Sequence, residues 1–151
     1  MRTALDRYDV PASSIVFEVT EGVIMQDQDV AVSFLRQLRD EGVSLHVDDF
    51  GTGHSSLSTL HEFPVGALKI DRSFVQRMQT SPRSRELVGL MVTMGAQFGL
   101  NVIAEGIETE EEAATLAGLG CPLVQGYLFS RPVPAAEATT LLLRQTTSTR
   151  A

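Results

Sequence analysis

Cysteine occurs once in this sequence of 151 residues, at Cys121. A single cysteine excludes a disulfide within the chain and suits a reducing compartment, so a cytoplasmic location is expected. Soft sulfur ligands for a metal are lacking for the same reason. Long apolar runs are lacking too. None reaches the ~18 residues that a membrane span needs, and the opening "MRTALDRYDV" has no apolar signal-peptide core. Positive charge is scarce: 12 Lys+Arg stand against 19 Asp+Glu, a net charge of −7. A dispersed acidic balance argues against non-specific binding to nucleic acid or to an anionic membrane. It leaves open a small phosphate ester held through a metal. Low-complexity blocks and interdomain linkers are also absent. The length suggests one domain, and 43% apolar residues are enough for a sizeable core.

What is present is a rhythm. Strand-like runs at Ile15–Val19, Ser44–Asp48, Ala67–Ile70, Asn101–Ala104 and Leu123–Gln125 alternate with helical patterns at Gln28–Glu41, Ser56–Glu62, Arg83–Phe98, Glu110–Leu119 and Ala135–Arg144. Gly42, Gly99 and Gly120 follow helical patterns where a left-handed C-cap favours glycine. Thr109 reads as an N-cap before three glutamates, and Ser81-Pro82 opens the longest helix. The final "QTTSTRA", residues 145–151, reads as a polar, disordered tail after a domain over 1–144. A β-α-β-α rhythm calls for a parallel sheet with right-handed crossovers, in a doubly wound sheet or a (βα) barrel.

The polar residues choose between these. Side chains alternate faces along a strand. Asp48 therefore shares a face with Ser44 and His46, and Lys69 shares one with Asp71. Glu18, Asp48, Lys69, Glu105 and Gln125 follow one another at spacings of 30, 21, 36 and 20 residues, each one βα unit. Every strand thus brings one polar group to one end of the sheet, as at the C-terminal face of a (βα) barrel. The expected fold is α/β, a partial (βα)8 barrel of about five parallel units.

The collected groups are Glu18, Asp48, Asp49, Glu105 and Glu108 with Lys69 and Gln125. Oxygen donors of this kind suit a hard cation, Mg²⁺ or Mn²⁺. In "VDDFGTGHSS" two adjacent acids end a strand before a glycine loop. Asp48 and Asp49 have opposite parity and converge only if the strand breaks at Asp49, which Gly51 and Gly53 favour. Converging carboxylates can serve two cations ~3.5–4 Å apart, as in metal-assisted phosphodiester hydrolysis. Lys69 would neutralise charge on phosphate or screen the acids, and Glu105 or Glu108 would take the proton from the attacking water. Other polar or reactive side chains have plainer readings. His46 reads as barrel packing, His54 and His61 as exposed, Met91 and Met94 as core, and Cys121 as a buried small hydrophobe. Gly51-Thr52-Gly53 reads equally well as a tight turn or a phosphate cradle.

"FEVTE", "DDFGTGHSSL", "LKIDRSFV", "NVIAEGIET" and "QGYLFSRPVP" occur in an order and spacing that resemble the EAL domain family, over about Ala4 to Leu143. The resemblance implies hydrolysis of the bacterial second messenger cyclic di-GMP to pGpG, with Mg²⁺ or Mn²⁺, on a modified (βα)8 barrel. It implies Glu18, Asp48 and Asp49 as metal ligands, Lys69 on the attacking water or phosphate, and Glu105 as general base. Glu108, Gln125 and Asp71 complete the metal or phosphate environment, and Glu21 steadies the loop after Asp49. Implied partners are cyclic di-GMP, a second copy in a homodimer, and an upstream sensory or GGDEF-type domain.

The family's domain is about 240–250 residues, the usual barrel size. The Glu-Ala-Leu signature does not occur in this sequence, nor does the asparagine of the following strand, and His54 stands where tyrosine is usual. The chain is therefore expected to be the C-terminal five strands of the domain, weakly active or inactive by itself. The competing functions are a non-catalytic module that binds cyclic di-GMP or a protein, and an unrelated metal-dependent barrel.

Overall fold

The computed structural model describes residues 2–26, 28–53, 60 and 62–148. A first helix, α1 (Arg2–Tyr8), and a 3-10 turn at Ala12–Ser14 lead into β1 (Val16–Thr20). Then follow α2 (Glu21–Gln26), α3 (Gln28–Asp40), β2 (Ser44–Phe50), β3 (Ala67–Ile70), α4 (Arg72–Met78), α5 (Pro82–Gln97), β4 (Asn101–Glu105), α6 (Glu110–Gly118), β5 (Leu123–Gln125) and α7 (Ala135–Ser148). The helix expected over Ser56–Glu62, with His54 and His61, lies largely outside the described residues. The last helix runs past Arg144 to Ser148, so residues 145–148 continue it.

The five strands form one parallel sheet in the order β1-β2-β3-β4-β5. Sequential order without reversal is barrel topology; a doubly wound sheet reverses at a switch point. Right-handed crossovers then lay the helices on one face. That face is apolar. Leu45 and Val47 of β2, Leu68 and Ile70 of β3, and Val102 and Ala104 of β4 are all buried. They pack with Val75, Met78, Val88, Met91 and Val92 from α4 and α5 and with Leu116 from α6. The alternate positions carry Glu18, His46, Asp48, Lys69 and Glu105, so burying one face aims the polar set at the other.

Local chemistry fixes the helix ends. Ser81 caps α5 by accepting from the Ser84 N–H, with Pro82 in the first turn, where its missing N–H costs nothing. Thr109 and Glu112 close a reciprocal capping box on α6, whose first turn holds three glutamates that favour the positive end of the helix dipole. Gly42, Gly99 and Gly120 have φ of +91°, +69° and +76°, the left-handed geometry of a glycine C-cap. Three helices were not evident from sequence. α1, α2 and α4 have seven, six and seven residues, too few for a helical period to stand out.

Candidate active site

The site begins with an irregularity in β2. Val47 pairs with Leu68, and Phe50 pairs with Ile70. Two residues, Asp48 and Asp49, therefore stand against one, Lys69. This is a β-bulge, which bends a strand and re-aims its side chains. Asp49 takes φ +52°, a left-handed conformation uncommon outside glycine, asparagine and aspartate. The bulge lets carboxylates of opposite parity serve the same end of the sheet.

The turn beyond is held from below. Thr52 donates to the Asp49 carbonyl through both its N–H and its hydroxyl. Gly51 has φ +96°, and its N–H donates to Glu21 Oε2 at 3.0 Å. Glu21 is buried, and a Cβ at Gly53 would lie 2.6 Å from its Oε1. The second glycine thus allows the loop to close over the carboxylate.

Lys69 is the hub. It is only 4% exposed, and its Nζ lies 2.7 Å from Glu18 Oε1, 2.8 Å from Glu105 Oε1 and 3.1 Å from Asp48 Oδ1. Burial alone would lower its pKa, but the hydrogen bonds with Glu105 and Glu18 and the pairing with Asp48 overcome burial and raise it. Lys69 is therefore a fixed cation across the ordinary pH range. Asp48 Oδ1 is buried, and its partner among the described residues is the Lys69 ammonium at 3.1 Å. Half-buried His46, across the ladder from Glu18, has its pKa lowered by burial, against the opposing pull of Glu18.

A cleft of about 320 Å³ opens beside this cluster, lined by Asp49, Asp71, Arg72, Glu105, Glu108, Gln125 and Tyr127. Its far wall is built by two loops locked together. The Ile107 N–H donates to the Gln125 carbonyl at 3.1 Å, and the Leu128 N–H donates to the Ile107 carbonyl at 2.9 Å. Only glycine fits at Gly126, because a Cβ there would lie 2.1 Å from the Ile107 carbonyl oxygen. Glu112 Oε2 accepts from the N–H groups of Glu108 and Thr109, which fixes the backbone under Glu108.

The structure thus brings Glu18, Asp48 and Glu105 onto Lys69, and sets Asp49, Glu108 and Gln125 around the adjoining cleft. Glu21 lies apart, under the Gly51 turn. Asp71 lines the cleft but also caps α4, accepting from the Ser73 N–H at 3.1 Å. Arg72 and Tyr127 are cleft residues that sequence reasoning did not single out. Both follow a strand-end polar residue, Arg72 just after Asp71 and Tyr127 two places after Gln125, and that position was the available signal.

The donor chemistry suits a hard cation: carboxylate oxygens, one of them buried against the Lys69 ammonium, and an amide. Among the described residues, however, no three His, Cys, Asp or Glu side chains converge on a single metal position. The acids converge on an ammonium instead.

The EAL domain family model matches residues 1–132. The chain is 45% identical over 136 residues to the cyclic di-GMP phosphodiesterase NbdA of Pseudomonas aeruginosa, a match covering 90% of this chain and 17% of that protein. It superimposes on the PaMucR phosphodiesterase in complex with c-di-GMP with a TM-score of 0.87 and 40% identity, covering 91% of this chain and 56% of the other. The EAL domain of Mycobacterium smegmatis DcpA gives a TM-score of 0.87 and 40% identity, covering 94% of this chain and 64% of that one. The chain therefore spans under two thirds of each of these relatives.

Proposed function

The chain belongs to the EAL domain family, and from that premise we propose that its Lys69-centred face hydrolyses cyclic di-GMP to pGpG with the help of Mg²⁺ or Mn²⁺. The observation that carries this reading is the gathering of Glu18, Asp48 and Glu105 on one buried ammonium beside the Asp48–Asp49 bulge. Glu18, Asp48 and Asp49 would hold the cation, with Glu108, Gln125 and Asp71 around it. The cation would polarise the phosphodiester and lower the pKa of water near it.

The chain's own residues do the rest. Lys69, positioned by three carboxylates, presents a fixed positive charge to the phosphate or the attacking water. Glu105 takes the proton from that water, from a position fixed by its contact with Lys69 at 2.8 Å. Glu21 holds the turn that follows Asp49.

A second reading is a module that binds cyclic di-GMP without cleaving it. One observation favours it: among the described residues the acids meet on Lys69 and not around a metal position. Release of pGpG from cyclic di-GMP with Mn²⁺ present, compared between the parent and Glu105→Gln, separates the two. The enzyme reading expects slow release that stops in Glu105→Gln, because an amide accepts no proton from water. Binding of cyclic di-GMP with no release of pGpG by either protein would overturn it in favour of the module.

A further inference from the structure

The cleft beside Lys69 has an electrostatic problem. Its walls carry four carboxylates, Asp49, Asp71, Glu105 and Glu108. The buried Lys69 is already matched by three acids and does not line the cleft. An anionic phosphodiester entering here meets net negative charge on the side of Asp71 and Glu108. Among the described residues, one cationic side chain lines that cleft: Arg72.

Three features mark Arg72 as available for a ligand. It forms no ion pair with any described residue. Its neighbour Asp71, the nearest acid in sequence, is turned to the Ser73 N–H in the helix cap. Its Cβ also lies against the backbone of the loop that follows Glu105. Gly106, at φ +73°, brings its backbone so close that a Cβ there would lie 2.4 Å from Arg72 Cβ. A guanidinium in this position offers a planar fork that matches two oxygens of one phosphate, which a lysine ammonium does not.

We infer that Arg72 is a substrate-binding residue: its guanidinium holds the non-bridging oxygens of one phosphate of the dinucleotide and offsets the acids of the cleft. This rests on the reading of the site as one for cyclic di-GMP.

The test is equilibrium titration of cyclic di-GMP, with Mn²⁺ present, into the parent chain, Arg72→Ala and Arg72→Lys. Arg72 is exposed, so both variants are expected to keep the parent's melting temperature. Arg72→Ala should bind about fivefold or more weakly, since it loses a charge-assisted forked contact. Arg72→Lys should recover part of that loss, and the salt dependence of affinity should flatten in Arg72→Ala. A smaller change in Arg72→Ala, with the fold intact and the parent binding, overturns the inference and leaves the functional reading standing. Failure of the parent to bind cyclic di-GMP overturns both.

Discussion

Lys69 carries the energetics of the site at the scale of single residues. Three carboxylates within 3.1 Å of one ammonium repel one another, and only the cation between them makes the arrangement stable. In Lys69→Met the three acids lose that cation. Glu18 is 44% exposed and can turn to water, so the cost should be about 1–3 kcal/mol, below that of a fully buried pair. Denaturant unfolding of parent and variant measures it; an unchanged midpoint would refute the hub. The pH dependence follows from the raised pKa. The folded state holds the Lys69 proton more tightly than the unfolded chain does. The stabilisation is therefore complete below the ordinary lysine value of 10.5 and is lost as pH rises through the higher folded value. The parent should accordingly lose stability above about pH 10.5 more steeply than Lys69→Met.

Among the elements, short connections hold the site together, and glycines set the tolerances. At Gly126 an added methyl meets backbone, the Ile107 carbonyl oxygen and nitrogen, which cannot move without unlocking Glu105 and Glu108 from Gln125. At Gly51 it meets the tip of Met91 at 2.6 Å and the Phe74 ring, but the Met91 terminus is flexible. The cost at Gly51 is then mainly that of a left-handed backbone, about 1–2 kcal/mol. Gly126→Ala should therefore destabilise more than Gly51→Ala in thermal melts, and the reverse order would contradict the locking of the two loops. Glu112 closes the capping box and satisfies the Glu108 and Thr109 N–H groups. Glu112→Ala should cost about 1 kcal/mol and a few degrees in Tm. Much of this scale was legible in the sequence. Thr109, Ser81-Pro82 and the three C-cap glycines announced their helix ends, because capping depends on neighbours along the chain. Asp71 shows the limit. Its place after Lys69 suggested only a ligand environment, whereas it also opens a seven-residue helix with too few turns to show a period.

For the whole molecule, parity along the strands was the signal that reached furthest. Five strands with one polar residue each, a βα unit apart, implied a sheet with a polar end, and the sequential order and register show it. Burial of one face made this readable, since a one-residue slip would reverse every side chain. The Lys69 contacts were not readable by parity, because they depend on how far three side chains reach across neighbouring strands. In this chain β1 and β5 are the outer strands. Val16, Phe17 and Leu123 on them are exposed, and Phe17 joins Val23, Val30 and Phe34 in an apolar groove beside α3. Open edges and apolar grooves favour pairing with another chain. The 151-residue chain should therefore self-associate, with an apparent mass in size-exclusion chromatography that rises with concentration and falls in Phe34→Asp. A monomer at all concentrations would contradict this. The proposed metal-assisted site for cyclic di-GMP around Lys69 couples the dinucleotide to the cation through Asp48. Cyclic di-GMP affinity is measured with and without Mn²⁺ for the parent and for Asp48→Asn, which keeps the side-chain shape and removes one charge. Mn²⁺ should tighten binding to the parent, and Asp48→Asn should lose this gain; no binding by the parent, or an equal Mn²⁺ gain in both proteins, would contradict the proposed site.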